Sequence, residues 1–345
     1  MASVDLIVRG AGIFGLSIAW VAVRRGAKVV VVDPHGPAAG SSGGLVGALA
    51  PHVPENWNPK KAFQLESLLM AEGFWQAVAA AGGGDPGYAR TGRLQPIADD
   101  HALALAQARA VSARPLWKDD AIWEVVPHEG QDWAPQSASG HLIHDSLSAL
   151  VHPRKACAAL VSALRTEGVK VETETTDDAP TLWATGIAGL EVLTAGHHRS
   201  MGGGVKGQAA LLKYDAAGLP QLFAGGVHVI PHLDGTVAVG STSERDYDSP
   251  TTTDGQLDDV VAAARAAVPA LSNAPVIDRW AGVRPRSRSR APMLGAWPGR
   301  PGHFVANGGF KIGFGMAPKV AEVMADLVLE AKDTIPEGFR VEDNL

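Results

Sequence analysis

Residues 4 to 9, VDLIVR, form a short, mainly apolar run that suits a strand buried in a parallel sheet. Apolar positions then recur at helical spacing over residues 13 to 25 and stop at an Arg-Arg-Gly turn, after which AKVVVVD predicts a second strand. Strand, glycine turn, helix and strand make a βαβ unit, which favours a parallel sheet with a right-handed crossover. Between residues 36 and 54 the pattern gives way to Gly, Ala and Ser with almost no charge, a backbone able to lie close against a ligand.

An amphipathic helix follows from residue 58, with Asn58 as its cap, Pro59 in its first turn, a glycine stop at 82 to 84, and Phe63, Leu68, Leu69, Phe74, Trp75 and Val78 as core. Residues 90 to 145 read as a strand near GRLQPIA, a helix over DDHALALAQARAVSA and Trp-rich loops. HPRKACAALVSALRTEGVKVETET returns to helix then strand, and APTLWATG is a further short strand. Beyond it, VKGQAALLKY, GGVHVIPHLDGTVAVGSTSE and VIDRWAGVRP alternate β-formers with turn residues and predict an antiparallel sheet. The last element, APKVAEVMADLVLEA, is a helix opened by proline.

The chain has 345 residues, 46% of them hydrophobic, enough for two domains or one large α/β domain. Its formal net charge of −6 argues against a general nucleic-acid binder. The single cysteine, Cys157, reads as a buried small residue on a helix and suits a reducing cytoplasm. Neither a signal segment nor a membrane-length apolar run is visible, so a cytoplasmic, unexported protein with a small-molecule partner is expected; assembly of identical subunits is compatible with the sequence. His197 and His198 lack further ligands at metal-site spacing, and no metal is expected.

Gly10, Gly12 and Gly15 give G-x-G-x-x-G between the first strand and helix, with Ile13 and Phe14 inside the turn. The first glycine permits the turn, the second admits a pyrophosphate and the third lets helix pack on strand. Asp33, at the end of the second strand, is placed to accept hydrogen bonds from a ribose, which favours FAD or NAD over NADP.

The motifs, in order along nearly the whole chain, resemble the D-amino-acid oxidase and glycine oxidase group of FAD-dependent oxidoreductases. GAGIFGLSIAW is similar to that family's opening turn, SSGGLVGALAPH to its small-residue segment along the flavin, LVHPRKACAAL to its central helix start, and TLWATG to its second cofactor-contacting strand. VKGQ, HVIPHLDGTVAVGSTSE, WAGVRPRSRSRAPMLG and NGGFKIGFGMAP resemble its later signatures. The resemblance implies noncovalent FAD in a doubly wound Rossmann-like α/β domain, with a second, mainly antiparallel β-sheet substrate domain. It divides the chain into residues 1–55, 141–200 and 285–345 for the cofactor and 56–140 and 201–284 for the substrate. It also implies oxidation of glycine, sarcosine or a D-amino acid by hydride transfer to flavin N5, with imine hydrolysis and reoxidation by oxygen. Alternatives are a dehydrogenase with a quinone or protein acceptor, an NAD-linked dehydrogenase, a flavin protein without amine turnover and, more distantly, a flavoenzyme that modifies tRNA.

Carried over by resemblance, Arg284 pairs with the substrate carboxylate, its alternative being an arginine bracing the turn before Pro285. Lys311 stands where relatives carry an arginine, and His228 where they carry a tyrosine; His52 resembles a histidine near the flavin. Either histidine could take a proton from the substrate ammonium. Ser41 and Ser42 are expected at the pyrophosphate or flavin edge, Gly186 at close approach to the cofactor, Val171 with its backbone toward adenine, and Gly309, Lys311 and Gly313 beside the flavin. Arg286, Arg288 and Arg290 fall on one face of an extended segment, read first as a solvated basic face and second as recognition of a large acidic substrate. Arg9 departs from the apolar residue usual before the first glycine and is read as a locally paired charge.

Overall fold

In the computed structural model, residues 4–82 and 84–345 are described. Residues 1–3 of the expected cofactor segment and Gly83 of the expected glycine stop lie outside them. The chain opens with β1 (Leu6–Arg9), α1 (Ile13–Arg24), β2 (Val29–Val32), β3 (Ala48–Leu49), α2 (Pro59–Gly82), β4 (Arg93–Pro96) and α3 (Asp100–Trp117). Next come β5 (Trp123–Pro127), β6 (His141–Asp145), β7 (Ala149–Leu150), α4 (Pro153–Thr166), β8 (Val171–Glu172), β9 (Thr181–Trp183) and α5 (Gly186–Ala195). The remainder is β10 (Gly202–Lys213), β11 (Gln221–Ala224), β12 (Val227–His232), β13 (Thr236–Gly240), α6 (Gly255–Ala267), β14 (Val276–Ser287), β15 (Met293–Ala296), β16 (His303–Asn307) and α7 (Gly313–Glu330).

Six strands in the order β15-β16-β9-β1-β2-β8 make the first sheet, parallel throughout except for the β15–β16 pair. Its central strand, Leu-Ile-Val-Arg, is buried over its first three residues, as a strand covered on both faces must be. Eight strands in the order β14-β10-β13-β12-β11-β4-β6-β5 make the second, antiparallel except where β11 meets β4. Alternation along β10 sets its two faces. Ala210 and Leu212 pack on Leu257, Val261 and Ala264 of α6, while Ala209 faces Leu45, Ile230 and Ala238 on the opposite side.

Two expectations change. The final helix begins at Gly313, with Pro318 inside it, so its N-terminus lies a turn closer to Gly309 and Lys311 than a proline-opened helix would bring it. Helix α2, placed by the sequence in the substrate segment, buries Phe63, Leu68, Trp75 and Val78 in one core with Leu6, Val8 and Met316. The core around the first sheet is thus completed by residues from both segments. Asn58 does cap α2, accepting from Lys61 N–H at 3.2 Å.

Arg93 on β4 and Asp145 on β6 form a buried ion pair, Nε to Oδ2 2.9 Å, and Asp145 is fully buried. Asp145 also accepts from the backbone N–H of Ser148 at 2.8 Å. Asp145→Ala would strand the guanidinium of Arg93 in the sheet, and a loss of about 3–5 kcal/mol is expected in urea unfolding.

Candidate active site

The cofactor half of the site lies at the carboxyl edge of the first sheet, where β1, β9 and β16 each run into a helix. None of α1, α5 and α7 has a side-chain hydrogen bond from its N-cap residue or an acidic residue in its first turn. Helix N-termini without caps leave N–H groups and partial positive charge available to an anion. At α1, Ser42 Oγ accepts from Ile13 N–H at 3.0 Å, which ties the small-residue segment to the glycine turn. Gly10 has φ of +103°, and a Cβ there would collide with the Ala184 carbonyl; a Cβ on Gly15 would collide with the Gly10 carbonyl. Asp33 accepts from Ala11 N–H and His35 N–H, each at 2.9 Å, and each oxygen keeps a lone pair for a hydroxyl donor.

The neighbouring corner is built by Asn307. Its side chain donates to the Gly186 carbonyl at 2.8 Å and accepts from Gly308 N–H, so the starts of α5 and α7 are held together. The Phe14 ring fills the place of a side chain at Gly309. Val171 sits on β8 opposite Val31, and the following residue, Glu172, accepts from Asp33 N–H at 2.9 Å.

The substrate half lies on the face of the second sheet that meets Leu45 and Val46. Trp280, Ala209, Gly240 and His228 stand in one row across β14, β10, β13 and β12. Gly44 packs on the Trp280 ring and Val46 on Gly240, so the segment expected along the flavin lies against this row. Along β14 the same face continues through Gly282, Arg284 and Arg286.

Arg284 is buried, and four of its five N–H donors meet partners within the protein, which leaves one on Nη1. Nη1 reaches Ser241 Oγ at 2.7 Å, Nη2 reaches the carbonyls of Thr242 at 2.6 Å and Lys206 at 3.2 Å, and Nε reaches that of Val205 at 3.5 Å. Gly207 makes room for this guanidinium, which a Cβ would strike. Burial pushes Arg284 down to about 10, opposed by the nearby Glu244 carboxylate. It remains charged at neutral pH and braces the Ser241–Thr242 corner, while Pro285, expected to follow a turn, lies inside β14.

The cations left free are neighbours of Phe310. Arg286 and Lys311 lie 5.3 and 5.7 Å from its ring centre, and Arg284 lies 5.3 Å away. Burial, then Arg284 and Arg286, hold Lys311 below the usual lysine range. Burial, then Arg93 and Lys311, push His228 down to about 4, and its Nδ1 is buried without a partner. Arg284, Arg286, Lys311 and His228 thus form one electropositive group. His52 does not share these contacts: its backbone and ring both meet Gln64 Oε1, the ring at 2.5 Å.

Of the three alternate arginines, Arg288 and Arg290 are exposed as a solvated face requires, but Arg286 is half-buried against Phe310. Phe310, Trp280, Ser241 and Thr242 were not among the expected site residues. Arg9 pairs with Asp177, donates to the Thr175 carbonyl at 2.8 Å and lies over Trp183, as a locally paired charge should. Cys157 is buried, its thiol pushed up to about 12. Among the described residues no group of His, Cys, Asp and Glu could hold a metal ion, and no helix is long and apolar enough to cross a membrane.

A family model described as FAD dependent oxidoreductase, DAO, matches residues 5–327. The chain belongs to the DAO family. As a member it is an FAD-dependent oxidoreductase of the kind that acts on amines and amino acids. It is 30% identical to a glycine oxidase of Pseudomonas putida over 97% of this chain and 99% of that protein. Among solved structures, a glycine oxidase from Geobacillus kaustophilus superposes with a TM-score of 0.85 at 18% identity, covering 98% of each chain. An iminodiacetate oxidase from Chelativorans sp. BNC1 gives 0.82 at 22% identity, covering 97% of this chain and 98% of that one. These structural likenesses establish a shared DAO fold.

The residues present fit FAD. Uncapped helix ends suit a pyrophosphate, Asp33 suits a ribose, and the buried, unpartnered Nδ1 of His228 together with the free cations calls for polar groups from a ligand. Gly12→Val would push a branched side chain toward Ser42 Oγ, which already lies 3.1 Å from a Cβ on Gly12, and across the anion path. The expected result is a colourless protein with FAD affinity lowered by about a hundredfold or more, read by cofactor fluorescence. His228 and His232 are both pushed to about 4, chiefly by burial, so the folded state keeps them neutral. Unfolded histidines titrate near 6.5, so the unfolded chain takes up protons first and stability falls as pH drops from about 6.5 toward 4. Urea midpoints of the cofactor-free protein should show a slope of up to about 1.4 kcal/mol per pH unit for each histidine, reduced in His232→Gln.

Proposed function

We propose that the protein oxidises the CH–NH bond of a small amino acid or secondary amine bearing a carboxylate, within the glycine, sarcosine and D-amino acid class, and hands the electrons to oxygen. The observation that carries this reading is the meeting of free cations, Arg286 and Lys311, with the neutral His228, beside a cofactor edge of uncapped helices. The glycine oxidase relatives support the substrate class, and the buried single cysteine suits the cytoplasm.

FAD, which the starts of α1, α5 and α7 and Asp33 would hold, would supply the two-electron acceptor for oxidation of the CH–NH bond to an imine that water hydrolyses, with oxygen as the final oxidant, reduced to hydrogen peroxide. Arg286 and Lys311 bind the substrate carboxylate by charge, and Arg284 keeps the Ser241–Thr242 corner fixed beside them. His228 is too weak a base to hold the proton of an ammonium at neutral pH. It instead accepts a hydrogen bond at Nδ1 from the bound amine, which orients the nitrogen while solvent takes the proton. The N-terminus of α7 offers N–H groups and positive potential to negative charge on the ligand.

The test is an anaerobic titration of the yellow protein with glycine, sarcosine and D- and L-amino acids, followed by flavin absorbance. Bleaching by carboxylated amines and recovery of colour with peroxide on admitting air is the expected result. Recovery only with a dye would make the enzyme a dehydrogenase, and a flavin that no amine bleaches would end the amine-oxidation reading.

A further inference from the structure

Six surface arginines of this chain, Arg9, Arg25, Arg109, Arg154, Arg279 and Arg340, each pair with a carboxylate, as an acidic chain readily allows. Others, such as Arg24, Arg114 and Arg165, stand singly in solvent, but on one face five arginines without carboxylate partners gather. A cavity of about 840 Å³ is lined by Arg199, Arg245, Arg286, Arg288 and Arg290 together with the first residues of β10. Among the described residues none of these five guanidiniums has an ion pair or a side-chain hydrogen bond. Arg286 lines this cavity and also lies over the Phe310 ring, which Lys311 shares.

Unpaired cations repel one another, and the repulsion grows as burial removes water from between them. A monocarboxylate brings one negative charge to this place. It would leave one of the two cations on the Phe310 ring, Arg286 or Lys311, without a counterion. Lys311 adds to the argument as a point charge on a flexible stem, free to meet a group that does not present the fork geometry an arginine prefers.

We propose that the substrate of this enzyme is dianionic, an amine bearing its α-carboxylate and a second carboxylate or phosphonate, and that Arg286 and Lys311 between them hold the two charges. The proposal rests on the amine-oxidation reading. The arginines of the outer cavity gather such anions and pass them inward to Arg286, an effect that weakens as salt is raised. No bond is made or broken by these residues; they position the substrate.

The binding test separates this proposal from turnover. Glutarate and butyrate differ by one carboxylate, and neither has an amine to oxidise. Titrated into the FAD-loaded protein and followed by perturbation of the flavin band, glutarate is expected to bind about tenfold or more tightly than butyrate. Glutarate should also raise the melting midpoint of the cofactor-free protein more than butyrate does. Arg286→Ala and Lys311→Ala should each bring the two affinities together, the Lys311 variant serving if the Arg286 variant does not fold. Running 4-phosphonobutyrate beside glutarate tells which second group is preferred. Equal affinities for glutarate and butyrate, or a preference untouched by both substitutions, would overturn the proposal. In turnover, iminodiacetate should reduce the flavin more efficiently than sarcosine; sarcosine as the better substrate would overturn the dianion while keeping amine oxidation. Selective glutarate binding with no reduction by any amine would overturn the amine-oxidation reading instead.

Discussion

Three helix N-termini without caps stand side by side at the carboxyl edge of one parallel sheet, and much of the molecule serves to keep them there. Each leaves unsatisfied N–H groups in a partly buried place, which a folded protein tolerates where a ligand supplies the acceptors. Asn307 bridges two of the corners, Ser42 closes on the third, and the Phe14 ring spans from α1 to Gly309. The second sheet is set against this edge through Trp280 and Gly240, which take the weight of the small-residue segment. The cofactor site is therefore formed between two sheets, and its chemistry follows from which side chains the second sheet turns toward the first.

Strand periodicity makes that choice. On β14 a period of two puts Trp280, Gly282, Arg284 and Arg286 on one face, and glycine at 282 and at 207 leaves space for the indole and the guanidinium to fold over the sheet. A register slip of one residue would turn these side chains away and present Ala281 and Val283. The long β10–β14 pairing, from Gly202 with Ser287 through Ala209 with Trp280, is what holds the register.

Much of this was legible in the chain. The glycine turn with Asp33, the alternation of helix and strand, and the ordered run of family motifs fix the cofactor and the architecture. The start of α7 was not legible, because Pro318 signals a helix opening while the glycines before it signal a loop, and packing against α1 decides the matter. Nor was the state of Arg284, since its partners are backbone carbonyls on β10 and beyond β13, brought together only by the sheet. Arg93 with Asp145 is a similar case: two charged residues about fifty positions apart become a buried pair through the β4–β6 register.

The same reasoning explains why one arginine of an arginine-rich strand end can differ from its neighbours. Arg284, Arg286 and Arg288 share a face by spacing, yet each meets a different environment as β14 leaves the sheet. Arg284 lies over β10 and hydrogen-bonds to it and to the Ser241–Thr242 corner; Arg288 lies in solvent; Arg286 falls between, against the ring of Phe310, whose φ of +44° turns the chain back toward β14. Half-burial lets the Arg286 charge act on a ligand with little screening, while the aromatic face holds the guanidinium in place without using its donors. A cation held in this way is prepared for an anion that the protein itself does not provide.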